Sequence, residues 1–279
     1  MSKPKALVIG DNCTDEWIYG SCDRICPEGP APVFVQTRSI QNQGMAGNTN
    51  YNLRSLVGDE WDITFVCNLN PIIKTRYVEE KSNGLIVRVD TGDKNTARIP
   101  EATLTDLAEQ FWDVIIISDY NKGFLHTDDI DRISRFKHCV SFMDTKKIIN
   151  GWAAEVDFIK INQGEVDANV AADPDFTSRW YDQLITTVGK QGCDFRGELF
   201  PVAEVEIKDL VGAGDTFLAA LAVGYVKSGG VIEEAITFAN LCSTEIVQAK
   251  GVGVIRPGIW DDYNKPKLNL GIRKEDWEY

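Results

Sequence analysis

A chain of 279 residues, 43% hydrophobic and 25% charged, is long enough to bury one large α/β core and has the composition of an ordinary globular protein. A formal net charge of −13 excludes generic nucleic-acid binding, which needs a basic face to displace counterions. Seven scattered cysteines beside only two histidines argue against a disulfide framework or a zinc cluster. No apolar run approaches a membrane span, so the expectation is a cytoplasmic protein with reduced thiols and no membrane partner.

The start, M-S-K-P-K, has no signal-peptide core and runs directly into residues 5–10 (K-A-L-V-I-G), an apolar stretch that predicts a buried first strand. Comparable runs recur at 113–118 (D-V-I-I-I-S), 139–144 (C-V-S-F-M-D), 156–161 and 183–188, separated by longer mixed segments. That alternation predicts an α/β fold with a parallel sheet covered by helices on both faces. Ligands of such sheets bind beyond the carboxyl ends of the strands, so Asp11, Asp119, Asp144, Asn162 and Gly189 are expected around one crevice. Between about 17–40 and 72–90 the texture changes: V-F-V-Q-T-R-S-I and L-I-V-R-V-D alternate like strands with one wet face. They predict a small antiparallel sheet outside the main layer, placed to act as a lid. No repeat or linker divides the chain, so residues 1–279 are read as one domain carrying this lid.

The most informative stretch is D-L-V-G-A-G-D-T at 209–216. It follows the alternating Val205, Glu206 and Ile207 and precedes an apolar segment from Phe217 to Val226, which predicts a strand-to-helix junction. A helix start directs unpaired backbone N–H groups and the positive end of its dipole at whatever lies above it. Gly212 and Gly214 remove Cβ atoms that would obstruct a phosphate. Asp215 repels phosphate, so its task is either that of a general base or that of a simple N-cap after a glycine turn.

Farther upstream stand N-x-x-E (Asn162, Glu165) and T-x-G-x-x-G (Thr187, Gly189, Gly192), with F-A-N (Phe238 to Asn240) following the G-A-G-D turn. In this order the motifs resemble the ribokinase-like (PfkB) carbohydrate kinases. The resemblance implies a three-layer α/β/α sandwich with a small β lid, Asp215 as catalytic base, and an anion hole in the backbone of Gly212, Ala213 and Gly214. It further implies a nucleotide site at Thr187, Gly189, Gly192 and Asn240, and Mg2+ held near Asn162 and Glu165 through water. ATP and Mg2+ are the implied cofactors, with a monovalent cation such as K+ left open.

Within that family the motifs G-D-N-C-T-D-E-W-I-Y-G (10–20), R-I-C-P-E-G-P-A-P-V (24–33), S-D-Y-N-K-G (118–123) and D-T-K (144–146) resemble the heptose 7-phosphate kinases. This implies phosphorylation of the anomeric hydroxyl of D-glycero-D-manno-heptose 7-phosphate to give the 1,7-bisphosphate. The family's separate nucleotidyltransferase domain has no counterpart in this sequence. Asp15, Gly44, Asn48 and Asp144 then fall at the sugar, while Arg76, Arg88, Lys122 and Lys146 become candidates for its remote phosphate. Two departures stand out. Met45 replaces the family's second glycine and is expected to narrow or reshape the sugar site, and the segment from Leu56 to Arg76 is too short for a helix and strand pair. The alternatives are another sugar or nucleoside kinase, or a non-catalytic descendant that binds a sugar phosphate or nucleotide. Apolar positions on one face of the lid strands imply a homodimer in which a second chain covers that face.

Overall fold

The apolar run at the start forms β1 (Lys5–Gly10), inaccessible from its second residue onward. The structure, a computed structural model, describes residues 3–94, 96–248, 251 and 253–264; the domain reading beyond 264 lies outside them. After β1 come β2 (Asn12–Ile25), β3 (Pro32–Met45), α1 (Ala46–Val57), β4 (Asp62–Cys67), β5 (Ile73–Glu79) and β6 (Leu85–Thr91). The chain continues through α2 (Glu101–Ala108), β7 (Trp112–Asp119), α3 (Thr127–Ser134), β8 (His138–Thr145), β9 (Phe158–Asn162), α4 (Gln163–Ala172) and α5 (Phe176–Arg179). Last are β10 (Leu184–Thr187), β11 (Cys193–Phe195), β12 (Glu198–Phe200), α6 (Ala213–Lys227), α7 (Ile232–Ile246) and α8 (Ile259–Asn264).

Eight strands form the main sheet in the order β12-β11-β10-β9-β8-β7-β1-β4, parallel throughout except for the antiparallel edge made by β11 and β12. Strand alternation divides its side chains between two cores. From β7, Val114 and Ile116 join Leu53 of α1, Leu218 of α6 and Phe238 of α7, while Ile115 and Ile117 join Leu104 of α2, Ile130 of α3 and Phe176 of α5. Each fully buried aliphatic side chain contributes about 1.5–3 kcal/mol. Burial on both faces explains why these strands read as unbroken apolar runs in the sequence.

The second sheet, β3-β2-β5-β6, lies where the alternating segments were expected, although its strands are longer. It is mixed rather than antiparallel, because β2 and β5 run parallel while the outer pairs are antiparallel. Alternation reports one wet face and carries no information about strand direction. The short segment after Leu56 keeps a strand: a single 3-10 turn at Gly58–Glu60 leads into β4, which pairs with β1 at the edge of the main sheet. No helix intervenes between β4 and β5. The strand expected at 205–207 is absent; that stretch joins neither sheet, with Ile207 and Leu210 exposed. Alternation marks a strand only where a neighbour supplies hydrogen bonds, and the main sheet already ends at β12.

Candidate active site

The carboxyl ends of β7, β8 and β9 converge under the start of α6. Gly212 occupies the N-cap with φ 85°, a left-handed conformation suited to glycine, and no side chain caps the helix. Its first-turn N–H groups are therefore free of side-chain acceptors. Asp215 sits on that first turn and is 5% exposed. Its two oxygens are held from different elements: Tyr120, after β7, donates its hydroxyl to Oδ1 at 2.7 Å, and Asn48 of α1 donates Nδ2 to Oδ2 at 3.0 Å. Burial pushes the Asp215 carboxyl up to about 6, against the lowering effect of these two hydrogen bonds. A carboxylate that gains and loses a proton near neutral pH can accept one from an alcohol.

Beneath Gly214 lies a second charged cluster. Lys160 of β9 donates to Asp144 of β8 at 2.6 Å, and a Cβ placed on Gly214 would come within 2.9 Å of the lysine Nζ. Lys146 reaches Asp144 at 3.1 Å and also pairs with Glu165. Burial works against ionisation of Asp144, but Lys160 and Lys146 overcome it and hold the carboxyl below its ordinary value. Glu165 and Asn162 form a capping box at the start of α4: Asn162 Oδ1 accepts from the Glu165 N–H at 3.0 Å, and Glu165 Oε2 accepts from the Asn162 N–H at 2.8 Å. Both present hard oxygen donors, a chemistry that suits a magnesium ion retaining its own waters. No group of three or more His, Cys, Asp or Glu stands ready to hold a metal directly among the described residues.

On the lid side, Asp15 of β2 is buried and paired with Arg76 of β5 at 2.5 Å, and the guanidinium lies 4.7 Å from the centre of the Trp17 ring. Gly44 makes this packing possible, since a Cβ there would sit 2.1 Å from Asp15 Oδ2. A polar cavity of about 300 Å³ is lined by Thr14, Gln41, Asn42, Gln43 and Asn48 among others but not by Asp15, which lies on the other face of β2 from Thr14. Met45 takes φ 55° yet is 2% exposed, packed with Cys13 and Ile72 against Tyr120. Its side chain thus belongs to an apolar cluster behind Tyr120 and does not line the cavity.

Thr187 ends β10, and Gly189 and Gly192 both adopt positive φ in the turn to β11. Asn240 of α7 is buried and donates to the Phe200 carbonyl at 2.8 Å, which places it beside that hairpin.

The remaining expected residues are engaged with other partners. Arg88 is clamped by Asp90 on its own strand through two contacts of 2.7 Å, and Lys122 is paired with Asp93 at 2.5 Å. Asn48, expected at the sugar, spends its amide on Asp215 and on Asn52 although it borders the cavity. Asp11 and Asp119 are not crevice groups. Asp11 accepts the backbone N–H groups of Tyr120, Lys122 and Phe124, while Asp119 holds Thr145 and Lys147, and both are fully buried. Sequence reasoning passed over Tyr120 and Lys160. The signal for Lys160 was a lysine inside an apolar strand; Tyr120 lay within S-D-Y-N-K-G, where attention fell on the charged residues.

Residues 139–257, which carry Asp144, Lys160 and the whole start of α6, match the model described as pfkB family carbohydrate kinase. Bifunctional protein HldE of Helicobacter pylori strain J99 is 30% identical over 294 residues, covering 88% of this chain and 63% of that protein. The chain resembles the ribokinase-like carbohydrate kinases. It spans less than two thirds of the length of this curated relative. Among solved structures, ribokinase from Thermotoga maritima aligns with a TM-score of 0.66 at 16% identity, covering 90% of this chain and 95% of that chain. Arabidopsis thaliana ribokinase complexed with ribose and ATP gives 0.65 at 14% identity, covering 92% and 96%. These alignments establish that the α/β sandwich has the ribokinase fold. No helix among the described residues is long and apolar enough to cross a membrane.

Proposed function

We propose that this kinase transfers the terminal phosphoryl group of ATP to the anomeric hydroxyl of a heptose 7-phosphate, giving the 1,7-bisphosphate. The observation that carries the reading is Asp215, a buried carboxylate poised near pH 6 on the first turn of a helix whose N-terminus no side chain caps. In this role Asp215 takes the proton of the acceptor hydroxyl as its oxygen bonds to phosphorus, while the backbone N–H groups of Gly212, Ala213 and Gly214 receive the charge on the transferred group. Mg2+ would neutralise nucleotide phosphate charge, held through water by Asn162 and Glu165. Lys160 and Lys146 are balanced there by Asp144 and Glu165, so the uncapped start of α6 supplies the positive potential where phosphates must gather. The nucleotide would lie along Thr187, Gly189, Gly192 and Asn240.

Support for the sugar comes from the lid. Asp15, acceptor-only, would receive polyol hydroxyls, with Gly44 leaving room for its carboxylate. Arg76, Arg88 and Lys122 are the cations for the remote phosphate, which would compete with their present carboxylate partners. The exposed apolar residues Val35, Ile40, Leu85, Val87 and Val89 on β3 and β6 support a homodimer in which a second copy covers the lid.

The test is turnover of a panel of sugars, sugar phosphates and nucleosides with ATP and Mg2+, using wild type, Asp215→Asn and Arg88→Ala. The reading expects heptose 7-phosphate as the preferred substrate and a loss of several orders of magnitude in Asp215→Asn. In Arg88→Ala the KM for the sugar phosphate should rise roughly ten- to a hundredfold with ATP unaffected. Near-normal turnover of Asp215→Asn removes the base, and preference for an unphosphorylated sugar or a nucleoside replaces the substrate.

A further inference from the structure

Tyr120 is held at both ends, by a loop anchor at its backbone and by Asp215 at its hydroxyl. Its backbone N–H donates to Asp11 Oδ2 at 2.9 Å, and the same carboxylate receives Lys122 N at 3.0 Å and Phe124 N at 3.3 Å. Asp11 at the end of β1 therefore fixes the loop that follows β7, including the sharp turn in which Asn121 takes φ 55°. The Tyr120 ring rests on the Cys13, Met45 and Ile72 cluster, with Lys146 Nζ 5.2 Å and Lys74 Nζ 5.7 Å from its centre. At its far end the hydroxyl meets Asp215 Oδ1.

We propose that Tyr120 is a positioning residue for phosphoryl transfer: its hydroxyl holds the Asp215 carboxylate in a single orientation and favours the ionised form that accepts the substrate proton. The inference rests on the assignment of Asp215 as general base. Two donors arriving from opposite elements, Tyr120 on Oδ1 and Asn48 on Oδ2, leave each oxygen a lone pair and leave the carboxylate no freedom to rotate. Tyr120 cannot itself take the proton. Burial and the neighbouring Asp215 raise its own phenol well above the ordinary value, so it stays a neutral donor throughout the working range. During transfer the acceptor O–H bond breaks, its proton passes to Asp215, the new O–P bond forms and the bond to the nucleotide's bridging oxygen breaks. Tyr120 keeps its proton and strengthens or weakens only the charge it faces.

The other groups acting on Asp215 come from the strands below and beside it: Asp144 of β8 repels its charge, Lys160 of β9 stabilises it, and the Cys13 thiol of β2 feels the charges of Asp15, Lys74 and Asp215. Lys74 and Lys146 flank the ring of Tyr120. A Tyr120→Phe change leaves every one of these in place and keeps the ring packed, so it deletes a single hydrogen bond to the base.

The experiment follows the Asp215 carboxyl by 13C NMR titration in wild type and Tyr120→Phe, with Asp215→Asn identifying the resonance; no substrate is needed. The expected result is a midpoint about one unit higher in Tyr120→Phe, because the lost bond favours the charged form. Midpoints agreeing within about 0.3 unit overturn the inference, since purely structural packing does not depend on the hydroxyl. Should Tyr120→Phe fail to fold, 3-fluorotyrosine at position 120 serves instead: its stronger donor moves the midpoint toward acid, and an unmoved midpoint overturns the proposal. Turnover of Asp215→Asn with ATP and heptose 7-phosphate is measured separately. Retained turnover there sinks the base assignment, whereas an inactive Asp215→Asn with an unshifted titration sinks the role of Tyr120 alone.

Discussion

Lys160 Nζ and Asp144 Oδ2 meet at 2.6 Å with both side chains almost sealed from solvent, immediately below the position a Gly214 side chain would occupy. The pair therefore supports the floor of the proposed anion hole and favours glycine as its last residue. Breaking a buried ion pair leaves an uncompensated charge, costing about 3–5 kcal/mol, and Lys146 remains here to satisfy part of Asp144. Lys160→Met should thus lose about 3 kcal/mol of stability in urea denaturation. Gly214→Ala should lose about 1–3 kcal/mol, because the added methyl displaces the lysine. If both variants are as stable as wild type, the pair is dispensable and the glycine answers to the ligand alone.

Asp215 makes a prediction of opposite sign. Its folded-state value is about 6 against an ordinary 3.8, so the unfolded chain holds the ionised form more comfortably. Stability is then greatest while the carboxyl is protonated in both states and falls as pH rises from about 4 through 6, to a constant cost on the order of 2–3 kcal/mol. An amide in place of the carboxylate accepts from Asn48 and donates to the Tyr120 oxygen, and it carries no charge to bury. Asp215→Asn should accordingly be more stable than wild type by about 2–3 kcal/mol near pH 8, with the gap closing toward pH 4. Denaturation curves across that range decide the matter; a variant no more stable than wild type at the alkaline end contradicts the burial argument.

The lid makes the third prediction. Leu85 is 60% exposed and Val35 53% exposed on strands that also carry exposed Val87 and Val89. A second copy covering the outer strands of the lid would bury them, so light scattering at micromolar concentration should give twice the chain mass. Val35→Glu, which puts a charge into the covered surface, should release monomers. A wild-type monomer would leave the face to some other cover.

Much of the layout was legible before folding was considered. The five apolar runs became β1, β7, β8, β9 and β10 within a residue or two, because a strand buried on both faces must be apolar without interruption. The start of α6 was equally plain, since glycines flanking an acid beside an apolar helix leave few other conformations. The segment at 205–207 misled for a matching reason: alternation describes side chains, whereas a strand also needs a partner, and this stretch joins neither sheet.

Which residues meet across the chain was decided by the tertiary structure alone. Asp11 and Asp119 stand at strand ends like Asp144, yet they turn inward to hold loops, because each finds several donors close by that the sequence places far away or gives no direction. Asn48 and Tyr120 lie 167 and 95 residues from Asp215 and still grip its two oxygens. Met45 could be seen as a departure from the family, but its destination behind Tyr120 depended on the space left by Cys13 and Ile72. Local pattern determined the strands, the helix start and the type of chemistry. Packing chose the partners of each charge, because the energy of a buried ion or hydrogen bond depends on distance and enclosure, neither of which is written along the chain.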